Sequence, residues 1–170
     1  MKAEILPIVD ENGNPVGMAT REQCHSNPRL LHPVVHLHVF DSDGRLYLQQ
    51  RSLSKDLYPG YWDTAVGGHI RVGETVGEAL LREGREELGI DVSASTFLFT
   101  YIWTNKNETE YVYSYKLIYS GNINPPPTEV MGGRFFPFAE IKQNLSKNIF
   151  TPNFTHEFCL FIEKGIIEDR

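Results

Sequence analysis

The sequence predicts an α/β fold, an α/β/α sandwich in which helices flank a mixed β-sheet. Strand-like runs come first, one glutamate-rich amphipathic helix interrupts them near the middle, and after further strands the chain closes on helices. Of its 170 residues 41% are hydrophobic, enough for one well-buried core, while the length is too short for two ordinary domains. Residues 1–170 therefore read as a single domain.

The opening, about residues 4–19, reads as a small hairpin. Ile5 to Val9 is followed by a turn at Glu11-Asn12-Gly13-Asn14-Pro15 and a short strand around Val16 to Ala19. A polar stretch from Arg21 to Pro33 leads into Val34–Phe40, whose apolar and polar residues partly alternate, and Asp41-Ser42-Asp43-Gly44 turns it into Arg45–Arg51. Strands follow at Trp62–Val66, Thr96–Thr104 and Glu110–Tyr119, the last two joined by Asn105-Lys106-Asn107. Pro125-Pro126-Pro127 breaks the chain. Phe135-Phe136 forms a short strand, and Phe138–Leu145 and Asn153–Glu163 form the closing helices, the second announced by Thr151-Pro152.

Between Gly68 and Ile90 the chain reads GHIRVGETVGEALLREGREELGI, a glycine-turned loop running into a helix. Glu83, Glu86 and Glu87 are spaced i, i+3, i+4, so at about 3.6 residues per turn they project from one side, with Leu80, Leu81, Gly84 and Leu88 toward the opposite arc. Carboxylates packed this closely repel one another unless positive charge sits among them. Mg²⁺ or Mn²⁺ held by oxygen ligands is the usual answer, and it implies phosphate chemistry. A solvated acidic face paired with Arg82 and Arg85 is the plainer alternative. Glu74 stands just before the helix, where a carboxylate meets unpaired N–H groups and the positive end of the dipole and ties loop to helix.

These residues resemble the Nudix box: Gly, five residues, Glu, seven residues, Arg-Glu, an aliphatic, one residue, Glu-Glu, one residue, Gly, an aliphatic. Gly68, Glu74, Arg82, Glu83, Glu86, Glu87, Gly89 and Ile90 fill the pattern in register. Gly84 alone departs, standing where an aliphatic residue is typical. A glycine inside a helix costs about 1 kcal/mol relative to alanine and signals close approach to a neighbour, so the departure concerns packing. The resemblance implies the Nudix fold, with Glu83, Glu86 and Glu87 binding divalent metal, the Gly68 carbonyl a further ligand, and Arg82 orienting the glutamates. Either Glu86 or Glu87 can act as the base; Glu129 and Glu140, outside the box, are weaker candidates.

Upstream, His25, His32, Arg51, Lys55, Pro59, Gly60, Trp62, Gly68 and His69 follow the order found in the isopentenyl-diphosphate isomerase branch of the Nudix superfamily. That resemblance, with the box, covers roughly residues 4–120. The isomerase chemistry needs a cysteine immediately before the Gly-His and an acid on a later strand. Gly67 stands at the cysteine position, and glycine cannot transfer a proton. Glu108-Thr109-Glu110 resembles the isomerase Glu-x-Glu, so His25, His32, His69, Glu108 and Glu110 can form a second metal site suited to Zn²⁺ or Mn²⁺. Against that, Glu108 and Glu110 beside a polar turn can simply be solvated. The resemblance also places Arg51 and Lys55 at the substrate phosphates. His36 and His38 alternate on a strand as a structural or pocket-lining pair. Tyr58, Tyr61, Trp62, Trp103 and Tyr111 either line an apolar or base-binding surface or pack.

A net charge of −6 with no basic run argues against long nucleic acid as a partner and leaves a small diphosphate, its charge met by metal ions. Cys24 and Cys159 make no disulfide framework and read as reduced thiols. No apolar run approaches the about 20 residues a membrane span needs, and the amino terminus lacks a signal core, so a cytoplasmic protein is expected. The amino-terminal hairpin offers an edge through which two copies could pair as a homodimer. The expected activity is metal-assisted hydrolysis of a diphosphate bond. Isomerisation of a prenyl diphosphate and a non-catalytic binding module are the alternatives.

Overall fold

The structure, a computed structural model, describes residues 3–126 and 130–167; Pro127 and Glu129 fall outside them. It is of the expected α/β class. The chain forms two compact units, Met1–His38 with Val66–Leu117, and Val39–Ala65 with Ile118–Arg170.

In the first unit, β1 (Ile5–Val9) and β2 (Pro15–Thr20) make the expected antiparallel hairpin. Asp10 Oδ1 accepts from the Asn12 and Asn14 N–H groups, each at 2.9 Å, which holds the turn. The polar stretch that follows contains a helical turn that sequence reading missed, α1 (Arg21–Cys24), started by a capping box in which Thr20 and Gln23 bond reciprocally. Strand β3 (Leu31–Phe40) begins earlier than expected, at Leu31. Its alternation puts His32, Val34, His36 and His38 on one face.

The single strand expected at Trp62–Val66 is two strands broken at Ala65, because each half pairs elsewhere: β5 (Trp62–Thr64) with β4 (Leu46–Arg51), and β6 (Val66–His69) with β3. In that second pairing Val34 faces His69 and His36 faces Gly67, so both pairs share the His32 face. Helix α2 (Val76–Leu88) starts at Thr75, whose side chain caps the Glu78 N–H, and ends at Gly89 in the left-handed conformation, φ 68°. Ala79, Leu80, Gly84 and Leu88 are buried, but Leu81 is 38% exposed, a correction to the apolar arc expected for it. At about 100° per residue Leu81 falls outside the narrower arc centred on Leu80, Gly84 and Leu88. The close approach expected at Gly84 is present. A Cβ there would lie 2.6 Å from Val92 Cγ2.

Strands β7 (Thr96–Thr104) and β8 (Thr109–Ile118) form an antiparallel pair with Trp103 opposite Glu110 and Tyr101 opposite Val112, and β3 lies beside β8. The hairpin turn rests on this pair: a Cβ at Gly13 would meet the Tyr113 hydroxyl at 2.9 Å.

In the second unit β4 pairs with β5 on one side and with β9 (Val130–Phe136) on the other, both antiparallel, and a parallel bridge joins Trp62 to Phe150. The expected Phe135-Phe136 strand is thus the end of a longer one. Helix α3 (Phe138–Asn144) runs on into a 3-10 turn, Leu145–Lys147, and α4 (Pro152–Glu163) carries proline in its first turn behind the Thr151 cap. Fully buried Phe136, Phe154, Phe158 and Phe161 make an aromatic core; burying a phenylalanine contributes about 1.5–3 kcal/mol.

Candidate functional site

The loop Gly68–Thr75 and helix α2 gather the box residues around one guanidinium. Arg82 Nε donates to Glu74 Oε1 at 2.7 Å and Nη2 to Glu74 Oε2 at 2.9 Å, while Nη1 donates to Glu83 and, at 3.4 Å, to Glu86. Nη2 also donates to the His69 carbonyl at 2.9 Å. Arg82 therefore bonds three glutamates at once and ties the helix to the end of β6. Glu74 ties the loop to the helix as expected, though not by capping it. Its carboxylate accepts from Arg82 and from the Arg71 N–H (2.9 Å), and capping of the helix falls to Thr75 and Glu78. That cap was legible as Thr-x-x-Glu before an apolar run.

Gly68 has a steric cause. A Cβ there would fall inside the Glu83 carboxyl group, so only glycine lets that side chain lie over the strand. Burial raises the Glu83 pKa above the usual carboxylate range, with the Glu86 charge adding to it and Arg82 opposing. Glu74, bonded to Arg82, is held below that range. Glu86 is exposed, and Glu87 accepts from the Gly67 N–H at 3.3 Å. Hard oxygen donors in this number suit Mg²⁺ or Mn²⁺, and a buried carboxylate with a like-charged neighbour is the kind of group a cation relieves.

The expected second constellation also assembles. His25, at the end of α1, His32 on β3 and His69 on β6 bring ring nitrogens within 4.8 Å of one another, and so do the ligand atoms of His32, Glu108 and Glu110. His25 Nε2 stands 3.0 Å from His69 Nε2 and 3.3 Å from Glu108 Oε2. His32 Nδ1 donates to the Leu30 carbonyl at 3.2 Å, which fixes the tautomer and leaves the Nε2 lone pair pointing away from that bond. That Nε2 and Glu108 Oε2 are buried without a hydrogen-bond partner among the described residues, although 3.8 Å apart. Solvated carboxylates, the plainer expectation for Glu108 and Glu110, are not what is found: both are half-buried. Burial pushes the His69 pKa down to about 3, with His32 and His25 contributing, and lowers His25 and His32 chiefly by the same cause. Neutral imidazoles and adjacent carboxylates form a donor set that fits Zn²⁺ or Mn²⁺.

Arg51 is engaged locally, Nε donating to the Leu57 carbonyl at 3.1 Å and Nη1 to Asp63 at 3.0 Å; Lys55 sits exposed in the following loop. Asp63 also accepts from Thr151 Oγ1 at 2.9 Å, a link sequence reading missed because its ends lie 88 positions apart. Tyr58 is exposed with φ 52° and packs on Tyr61, Trp62 packs edge-on against Phe136 at 4.9 Å, and Tyr111 is buried beside Tyr113. Trp103 stands directly across from Glu110. Glu140 is paired with Arg134. His36 and His38 are buried on β3, their ring centroids 6.5 Å apart. Both cysteines are free thiols, Cys24 buried and Cys159 exposed. No helix among the described residues is long and apolar enough to cross a membrane.

Residues 30–158 match the NUDIX domain model. The chain is 34% identical over 152 residues to an uncharacterized Nudix hydrolase of Streptomyces coelicolor, covering 88% of this chain and 83% of that one. It is 32% identical over 156 residues to the isopentenyl-diphosphate Delta-isomerase of the same organism, covering 88% and 79%. Among solved structures, DR0079 from Deinococcus radiodurans superimposes with a TM-score of 0.77 at 25% identity, covering 92% of this chain and 98% of that one. The NUDIX domain of Shewanella oneidensis NrtR, solved with ADP ribose, shares the fold with a TM-score of 0.61 at 18% identity, covering 78% and 86%. The chain belongs to the NUDIX family and is an enzyme of its hydrolase type.

Proposed function

We propose that this NUDIX family member is a metal-dependent pyrophosphohydrolase that cleaves the diphosphate bond of a small nucleoside diphosphate derivative or related organic diphosphate, with residues 1–170 acting as one domain. The observation that carries the reading is the Arg82 clamp, which gathers Glu74, Glu83 and Glu86 on one flank of α2 above Gly68. Glu83, Glu86 and Glu87, with the Gly68 carbonyl, hold Mg²⁺ or Mn²⁺. Bound there, these cations supply charge neutralisation of the phosphate oxygens, activation of water and stabilisation of the leaving phosphate. Arg82 keeps the carboxylates in register. Glu86 or Glu87 takes the proton of the attacking water, and the products are a phosphate monoester and a second phosphate-bearing group. We assign Arg51 and Lys55 to the substrate's phosphates, so their alanine variants raise KM. His25, His32, His69, Glu108 and Glu110 hold a second ion, Zn²⁺ or Mn²⁺; the buried His32 Nε2, which makes no hydrogen bond among the described residues, supports this.

The test is a panel of nucleotide sugars, dinucleoside polyphosphates, oxidised nucleotides and prenyl diphosphates, assayed with Mg²⁺ and with Mn²⁺. Hydrolysis of one class by the wild type, abolished in Glu86→Gln or Glu87→Gln, supports the reading. Turnover that survives both substitutions sinks it, and no hydrolysis of any class by the wild type favours a binding module.

A second reading, isomerisation of a prenyl diphosphate, draws on the assembled histidines and on the isomerase relatives. Gly67 speaks against it, since no thiol stands there. A Cβ at Gly67 would make only ordinary contact with His36, at 3.6 Å, so the first side-chain carbon of a cysteine is accommodated there. Conversion of isopentenyl diphosphate by the wild type would reverse the order of the two readings.

A further inference from the structure

His69 belongs to both constellations through different atoms. Its ring lies in the histidine cluster, Nε2 3.0 Å from His25 Nε2. Its carbonyl accepts from Arg82 Nη2 at 2.9 Å, and the same guanidinium holds Glu74, Glu83 and Glu86. One residue's backbone is therefore all that separates a nitrogen ligand from the anchor of the glutamate clamp. The neighbouring residue, Gly68, is the seat on which Glu83 lies.

We propose that His69 is a positioning residue through which an ion in the histidine cluster raises the affinity of the Glu83, Glu86 and Glu87 flank for its own divalent cations. This rests on the two metal readings given above. Strand β6 is four residues long and ends at His69. Just beyond it the Ile70 N–H donates to the Pro33 carbonyl at 3.2 Å, so the position of the His69 carbonyl depends on that pairing and on what holds the ring. Val34 and His69 are paired across β3 and β6, and His32 lies two residues from Val34 on the same face. An ion shared by His32 and His69 cross-links the two strands beside that pair, and His25, bonded to the same ion, joins α1 to them. A fixed ring fixes the His69 Cα, which fixes the carbonyl and the Arg82 fork that it accepts. The carboxylates are then held in register before the second cation arrives, and pre-organisation of this kind is what outer contacts contribute to a metal site. Linkage requires the coupling to act equally in both directions.

The experiment is a double-mutant cycle on cation binding, read without turnover. Mn²⁺ binding is followed by the loss of its free-ion paramagnetic resonance signal, and the box class is defined as the one abolished in Glu86→Gln. Zn²⁺ content is measured in parallel, and Co²⁺ absorption reports the histidine cluster. His25→Ala removes a cluster ligand that, among the described residues, makes no hydrogen bond or ion pair with Glu74, Glu83, Glu86 or Glu87. The expected result is that Zn²⁺-loaded wild type binds Mn²⁺ at the box at least about five-fold more tightly than His25→Ala, within the usual range of coupling between sites. In Arg82→Gln, which still takes up Zn²⁺, adding His25→Ala has little further effect. If Arg82→Gln does not fold, the reverse titration decides: Mn²⁺ at the box must tighten Zn²⁺ binding in the wild type by the same factor. Equal Mn²⁺ affinities in the wild type and His25→Ala, with Zn²⁺ bound only by the former, overturn the coupling and leave both metal readings standing. Failure of the wild type to take up Zn²⁺ at the cluster or Mn²⁺ at the box removes a metal reading and the coupling with it.

Discussion

The histidine cluster and the glutamate flank of α2 meet at His69, yet they handle the crowding of like groups in opposite ways. In the cluster, burial keeps the imidazoles neutral, His69 down to about 3, and His32 offers a lone pair that no hydrogen bond among the described residues uses. On the flank the acids are held by a cation already built into the chain, Arg82, and grade outward from Glu83, 12% exposed in its side chain, to Glu86 at 54%. Neutral nitrogen donors in a closed setting suit a borderline ion such as Zn²⁺ that stays bound. Charged oxygen donors at a surface suit Mg²⁺ or Mn²⁺, which must also meet a substrate. On the function proposed above, chemistry belongs to the flank, and the cluster's part is to hold three segments of chain together.

The sharpest way to break that division is to neutralise one flank acid. Glu86→Gln or Glu87→Gln, whichever carries the base, lowers kcat for diphosphate hydrolysis at saturating Mg²⁺ by about 10²- to 10⁴-fold with an unchanged circular dichroism spectrum. Gly68→Ala has the next largest effect. The new methyl displaces the flexible Glu83 side chain and weakens Mn²⁺ binding at the box by about 10- to 100-fold while Zn²⁺ uptake at the cluster is retained. Gly84→Ala acts on packing alone. Its Cβ would sit 2.6 and 2.7 Å from the Val92 methyl carbons, an overpacking cost of about 1–3 kcal/mol set against about 1 kcal/mol of helix propensity. A net loss of on the order of 1 kcal/mol in denaturant unfolding is expected, relieved when Val92→Ala is added.

The smallest effect sharpens the contrast through pH. Histidines whose folded pKa is depressed favour the native state fully above their unfolded value of about 6.5 and lose that contribution as pH falls toward about 3, the His69 value. Glu83, raised by burial, runs the other way, since its protonated form is the one the fold favours. In chelator-treated protein, stability should thus decline between about pH 6.5 and 3 more steeply in the wild type than in His32→Gln. Parallel slopes would remove the histidines from the account.

The box was legible because its chemistry is local: spacing on one helix fixes which carboxylates share a flank, and Gly84 marked a close approach that Val92 supplies. The ligands of the cluster were legible only through their order along the chain. What joins them is a strand pairing, Val34 with His69, that no local pattern encodes. The break at Ala65 was missed for the same reason, since strand partners far off in sequence decide where one strand ends and the next begins. Leu81 was misassigned because an apolar residue on a helix edge reads like one at its centre. The His69 carbonyl could not be read from the sequence at all, because a backbone atom carries no residue signature.

Anomalous scattering from crystals grown with Zn²⁺ and soaked in Mn²⁺, recorded at both absorption edges, tests the central claim most directly. The account predicts manganese among the carboxylate oxygens of Glu83, Glu86 and Glu87, and zinc between His25, His32 and His69. Crystals in which those glutamates stay bonded to Arg82, with no manganese beside α2 even when a diphosphate is present, would contradict it.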